Sequence, residues 1–209
     1  GRSRYCYGQQ PQIGAWNIAR LLEAMVPIME QPNLLHDVLD GYTNAYSTFQ
    51  NEMWAMKLGL EEFRDDDESL IRDLNELLQR VETDMTIFFR LLSSIQEPTI
   101  HSLVDAFYDP TTMPKEEWNA WLLTWWQRVH SNPDRKAMLS SNPKYVLRNW
   151  MAQLAIEAAE SGDLSVCKEL YTLLLNPYDE QVEFEEKWFQ KRPEWARHKI
   201  GCSMLSCSS

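Results

Sequence analysis

The residues able to do chemistry in this chain are few and scattered: an acidic run from Asp65 to Glu76, four histidines and four cysteines. Asp65, Asp67, Ser69, Asp73 and Glu76 stand at the first, third, fifth, ninth and twelfth places of a calcium-binding loop. The sixth place, where such a loop needs Gly for its sharp turn, is Leu70. The apolar positions Leu70 to Val81 also run straight through the supposed loop, so these acids read as the solvated first turn of a helix, where negative charge is favoured. His36, His101, His130 and His198 never fall at i, i+3 or i+4 from one another, which leaves no pair for zinc or haem. Cys167, beside Val166 and Leu170, reads as a small core residue. Cys202 and Cys207 fall in a Ser-rich ending, where exposed thiols are chemically available, and this makes Cys207 a redox candidate. Their spacing gives no C-x-x-C couple. There is no G-x-S-x-G, G-x-G-x-x-G or P-loop, and no H-R-D or D-F-G. No complete catalytic constellation is legible.

The elements that would position these residues are helical. Ile13, Trp16, Leu21, Met25 and Ile28 mark one face of a first helix, which Pro27 bends or stops. Pro32 opens a longer segment through Leu60, with Leu35, Val38, Leu39, Tyr42, Tyr46, Phe49, Met53 and Met56 on its apolar face. Leu70, Ile71, Leu74, Leu77, Leu78 and Val81 form the clearest amphipathic pattern. Asp84 is placed to cap a helix holding Phe88, Phe89, Leu91 and Leu92. Shorter helices fit 99–108 and 114–130, and Trp118, Trp121, Trp125 and Trp126 recur at helical spacing, as a core stripe would. A strong helix is expected over 143–160, a stop and restart at Gly162-Asp163, another helix over 164–175 and a short one near 182–190. No alternating β-branched run occurs, so the fold class is all-α.

Composition narrows the function classes. The chain has 209 residues, with 20 Lys and Arg against 31 Asp and Glu, a net charge of −11. Such a surface repels phosphate backbones and anionic lipid, so neither nucleic acid nor membrane is an expected partner. No apolar run reaches the ~20 residues of a membrane span. The first residue is Gly rather than Met, and the chain is expected to be a piece of something longer.

Several motifs resemble the selenoprotein O family, the kinase-like protein adenylyltransferases. The start, Arg4-Tyr5-x-Tyr7-x-x-Gln10-Pro11-x-Ile13-x-x-Trp16-Asn17, resembles the family segment that follows its activation loop. Met56-Lys57-Leu58-Gly59-Leu60 and Asp84-x-Thr86-x-Phe88-Phe89-Arg90 resemble two further blocks. The most specific is Asn142-Pro143-Lys144-Tyr145-x-Leu147-Arg148-Asn149, continued by Ala152-Gln153 and Gly162-Asp163. Pro177-Tyr178-x-Glu180-Gln181 and the Ser-Cys-Ser-Ser ending complete an ordered series along the chain.

The resemblance implies the C-terminal helical half of a protein-kinase-like fold, in a family that transfers AMP from ATP, with divalent metal (magnesium), to protein hydroxyls and releases pyrophosphate. The family's nucleotide, metal and catalytic residues all precede the Tyr-x-Tyr-x-x-Gln-Pro block, so no catalytic, cofactor or metal residue is assigned to this chain. The partners implied are a missing N-terminal kinase-like half and protein substrates. The expected layout is an extended lead-in over 1–12, a helical body over 13–193 and a flexible tail over 194–209. Tyr5, Tyr7, Gln10, Pro11, Trp16, Asn17, Asn142, Pro143, Arg148 and Asn149 are the structural motif residues, and Arg148 is expected to anchor a carboxylate or a chain end from within the 143–160 helix. In many eukaryotic members selenocysteine stands third from the end; here that place is Cys207, and Met204 replaces its usual cysteine partner. The family's terminal residue pairs with an activation-loop cysteine, which makes Cys207, Cys202 and Cys6 the redox candidates. The resemblance implies a mitochondrial location for a eukaryotic member, with the cytoplasm as alternative. Judged on residues alone, a non-catalytic helical scaffold or a thiol redox module through Cys207 remain alternatives.

Overall fold

The computed structural model describes residues 9–29, 34–199 and 202, the side chains of 34 and 35 excepted. Among them the chain is all-α, with a single isolated antiparallel bridge, Thr83 to Phe107. It divides into two units, Gly1–Trp54 and Ala55–Ser209, with the boundary inside the second helix. Tyr5, Cys6, Tyr7 and Cys207 lie outside the described residues.

Unit 1 contains α1 (Gln10–Met25) and most of α2 (Leu34–Leu58). Helix α1 opens at Gln10, inside the stretch expected to be extended, because Pro11 sits in its first turn, where a missing N–H costs nothing. The two helices meet at Gly14, where a Cβ would stand 2.3 Å from the Tyr42 hydroxyl; that hydroxyl donates to the Pro11 carbonyl at 3.3 Å. Helix α2 ends two residues before Leu60. Gly59 adopts φ +66°, its N–H reaches Met56 O at 3.2 Å and the Leu60 N–H reaches Ala55 O at 2.9 Å, the paired closure that glycine makes at a helix C-terminus. A Cβ on Gly59 would also meet Met138 Sδ at 2.8 Å.

Unit 2 is built on α3 (Asp67–Arg80), α4 (Met85–Leu92) and α5 (Lys115–Arg128). Leu70, Ile71, Leu74 and Leu77 of α3 are buried, as their spacing requires. The acidic first turn is not wholly solvated, however: Asp67 is buried, and the Arg128 guanidinium clasps it with bonds of 2.7 and 2.9 Å. Asp84 caps α4 by accepting from Ile87 N at 3.1 Å. The helix expected over 99–108 is 3-10 from Ile100 to Ala106, and the bridge beside Phe107 ends it. Trp118, Trp121 and Trp125 are buried along α5. The Trp121 and Trp125 rings stack at 6.2 Å, and their indole N–H groups donate to Leu70 O at 2.9 Å and Leu58 O at 2.8 Å.

After α6 (Arg135–Ser141) the expected long helix does not form at once; α7 runs Asn149–Glu160 and α8 runs Ser165–Leu175. Asn142 precedes Pro143, which disfavours helix, and the Lys144 and Tyr145 N–H groups turn to Pro177 O at 2.8 and 3.1 Å. Arg148 therefore sits in extended backbone at the N-cap of α7 and not within a helix. Gly162, at φ +88°, makes the turn into α8. Cys167 is half-buried, with its thiol 3.6 Å from Ala155 O.

A short α9 (Glu185–Trp188) follows. Of the segment expected to be a free tail from 194, the described residues pack: Glu194–Ala196 form a 3-10 turn, and Ala196 and Cys202 join a core with Tyr145, Trp150, Met151, Leu170, Leu173 and Trp188. Ion pairs of Arg192 and Arg197 with Glu82, and of Lys199 with Glu157, hold it down.

Among the described residues the indole N–H of Trp118 is buried without a partner, whereas that of Trp125 satisfies the last turn of α2. Replacing Trp125 by Phe should therefore cost about 1–2 kcal/mol more than Trp118→Phe, because it strands a buried carbonyl in addition to losing volume. Denaturant unfolding of the two variants checks this; equal losses would show that the hydrogen bond contributes nothing.

Candidate functional site

The densest buried charge in unit 2 lies where four separated stretches of the chain meet. Arg90 of α4 is only 5% exposed. Its Nη1 donates to the carbonyls of Leu139, Asn142 and Tyr178 at 3.3, 3.1 and 3.2 Å, and its Nη2 pairs with Glu180. Lys144, 4% exposed, places its ammonium 2.8 Å from both Glu180 Oε2 and Glu185 Oε2. Burial pushes the Lys144 pKa down, but its hydrogen bonds to the two carboxylates outweigh that and hold it above the usual 10.5. For Glu180 burial pushes upward, yet the Lys144 hydrogen bond and the Arg90 charge keep the carboxyl below its usual 4.5.

The local sequence explains how these groups arrive. Pro143 keeps the chain extended, so Lys144 and Tyr145 can pair with Pro177. The Tyr145 hydroxyl lies 3.0 Å from the carbonyls of Glu180 and Gln181. Gln181 is left-handed at φ +40°, and its amide donates to Leu173 O and Asn176 O at 3.0 and 2.7 Å, closing the end of α8.

Two further pairs flank the cluster. Lys57 donates to Asn142 Oδ1 at 2.6 Å and lies 4.2 Å above the Phe89 ring, while Asn142 Nδ2 returns a bond to Lys57 O at 3.0 Å. Burial lowers the Lys57 pKa to about 8. Arg148 grips the Asp84 carboxylate with its two terminal guanidinium nitrogens, Nη2 at 2.8 Å, and so orients the cap of α4. As expected, Arg148 anchors a carboxylate, though from a loop. Asn149 donates to Cys202 O at 3.1 Å.

The structure thus gathers Asn142, Pro143, Arg148 and Asn149 around unit 2's interior, while Gln10, Pro11, Trp16 and Asn17 lie on α1 in unit 1. Cys202 is buried in a core and is not the exposed thiol expected of a tail. All four histidines lie at the surface. Sequence reasoning missed Lys57, Arg90, Lys144, Glu180 and Glu185 as a unit. One signal was available: Arg90 is a lone charge among Phe88, Phe89, Leu91 and Leu92, where only a paired cation is tolerated. Chemically the cluster is a fastening, since each of its buried cations donates to carboxylates or to backbone and side-chain carbonyls. Among the described residues no three His, Cys, Asp or Glu stand together as metal ligands.

Breaking the Arg148 pair leaves Asp84 buried and uncompensated, so Arg148→Ala should cost about 3 kcal/mol, partly restored by adding Asp84→Asn. A loss below about 1 kcal/mol by chemical denaturation would show the pair to be ornamental. Lys57 gives a pH test. Its folded pKa of about 8 lies below the ordinary 10.5, so between these values the unfolded chain binds more protons and stability rises with pH. The stability of the parent relative to Lys57→Met should increase between about pH 8 and about pH 10, inside the window bounded by the folded and the unfolded pKa; a constant gap would refute the burial of that charge.

A family model described as "Protein adenylyltransferase SelO" matches residues 1–175. The "Protein nucleotidyltransferase YdiU" of Flavobacterium johnsoniae is 44% identical over 219 residues, covering 99% of this chain and 42% of that protein. The proteins of the same name from Aromatoleum aromaticum and Tolumonas auensis are 42% and 41% identical, covering 100% and 99% of this chain and 42% and 41% of their own lengths. The chain therefore spans about two fifths of the curated relatives it matches. With similarity sustained along its whole length and the family model matched over residues 1–175, the chain belongs to the SelO family of protein adenylyltransferases.

Proposed function

We propose that this chain is the C-terminal part of a protein adenylyltransferase that transfers AMP from ATP to hydroxyl side chains of proteins and releases pyrophosphate. The observation that carries this reading is the similarity along the whole chain to nucleotidyltransferases more than twice its length. The described residues do not fit ATP or magnesium: the buried cations already hold carboxylates and carbonyls, and no acidic ligand set stands among them. No step through either group is assigned to this chain, and its nucleotide site is placed, as part of the proposal, in upstream polypeptide. The part played by the residues seen here is to fasten the helices of unit 2 to one another. Arg90 and Lys144 fasten the 178–185 segment, and Arg148 fixes the start of α4 through Asp84. The redox role of Cys207, which lies outside the described residues, stays a secondary proposal.

The test uses the intact polypeptide with labelled ATP and magnesium. Nucleotide label appearing on protein, with release of pyrophosphate, is the expected outcome. Arg148→Ala should lower thermal stability while leaving ATP affinity unchanged. Absence of transfer to self or to a lysate, under conditions where the Flavobacterium johnsoniae relative transfers, would overturn the reading.

A further inference from the structure

We propose that the ε-amine of Lys57 is an acylation site, which takes its acyl group from an activated carboxylic donor, a thioester or an acyl phosphate. The proposal stands on the surroundings of that amine and is independent of the AMP-transfer reading.

Lys57 lies in the last turn of α2, within unit 2. Its Nζ donates to Asn142 Oδ1 at 2.6 Å and stands 4.2 Å above the Phe89 ring. Both neighbours are neutral, and among the described residues no carboxylate pairs with the amine. By contrast Lys144, Lys187 and Lys199 each hold a carboxylate, and Lys191 a backbone carbonyl. The charged groups on the elements around Lys57 are engaged elsewhere. On α4, Arg90 holds Glu180 and three carbonyls. Lys144, two residues after Asn142, holds Glu180 and Glu185. At α6, Asp134 accepts from Ala137 N, and Arg135 donates to the carbonyls of Ser93 and Ile95.

An ammonium half removed from water, with only an amide oxygen and a ring face for company, gives up its proton readily. Burial accordingly brings the Lys57 pKa down to about 8. At about pH 7.5 roughly a quarter of such amines are unprotonated, against about one in a thousand for a lysine at its ordinary value. The neutral amine has two N–H groups and one lone pair. The Asn142 oxygen takes one N–H and the Phe89 face suits the other, so the lone pair is left for an electrophile. Lys57 is half-buried and not sealed, which leaves room for a small acyl donor to approach.

In the reaction Nζ attacks the acyl carbon and a C–N bond forms. The C–S bond of the thioester, or the C–O bond of the acyl phosphate, breaks, and the amine proton leaves to the thiolate or phosphate. Nothing is oxidised or reduced. The product suits the site better than the cation does. Its amide N–H still donates to Asn142 Oδ1, and the charge that burial penalises is gone.

The intact polypeptide is incubated with acetyl-coenzyme A or with acetyl phosphate at a series of pH values, and each lysine is followed by peptide mass spectrometry. At about pH 7.5 Lys57 should be acetylated about tenfold faster than the exposed Lys115, Lys136 and Lys168, and its rate should level off by about pH 9. Selectivity with one donor alone supports the proposal and assigns the donor class. Asn142→Asp sets a carboxylate beside the amine and should slow Lys57 severalfold at about pH 7.5. Should that variant not fold, the acetylated parent supplies a second reading: its stability relative to Lys57→Met should no longer rise between about pH 8 and about pH 10. Acetylation of Lys57 no faster than that of the exposed lysines, with either donor, overturns the proposal. So does a Lys57 rate that still climbs steeply above about pH 9, or a pH-dependent gain in stability that survives acetylation.

Discussion

Two cations almost removed from water, Arg90 and Lys144, set the terms for unit 2. Stripping an ammonium or guanidinium of its hydration costs several kcal/mol, and only well-placed acceptors offset that. The acceptors come from far along the chain: Glu180 serves both cations, Glu185 serves Lys144, and three backbone carbonyls complete Arg90. The carboxylates themselves remain largely exposed, Glu180 by 60% of its side chain. The buried partner therefore depends on the exposed one, and the 178–185 segment cannot leave without stranding two charges.

That dependence explains the backbone nearby. A proline after Asn142 keeps Lys144 and Tyr145 out of a helix, and their N–H groups find Pro177. Gln181 tolerates a left-handed conformation because its side chain closes α8 and its carbonyl lies by the Tyr145 hydroxyl. The blocks by which the chain resembles its family, Met56–Leu60, Asp84–Arg90, Asn142–Asn149 and Pro177–Gln181, are the stretches this fastening brings together. Asp84 and Arg148 form a second tie between two of them.

The tryptophans show the same economy in apolar form. Stacked Trp121 and Trp125 fill the space beside α3 and the end of α2, and each indole also satisfies a buried carbonyl. Unit 1 contrasts with this: its helices meet closely at Gly14 and Tyr42, yet none of its described residues is buried.

Helical periodicity alone determined the all-α class, the buried face of α3, the core stripe of tryptophans on α5 and the capping role of Asp84, since each depends on spacing along one element. Residue identity also marked Arg148 as an anchor. What spacing could not supply was partnership across the chain. Lys57 meets Asn142, Arg90 meets Glu180, and Asp67 meets Arg128 only because tertiary packing carries them together. The same packing kept 143–148 extended against helical appearance, by offering Pro177 as a hydrogen-bond partner. It also drew Cys202 into a core, where a Ser-rich ending suggests exposure, because Asn149 holds the Cys202 carbonyl and Glu82 and Glu157 hold the segment before it. A buried charge or a docked terminus is decided by long-range partners, and those have no signature in local sequence.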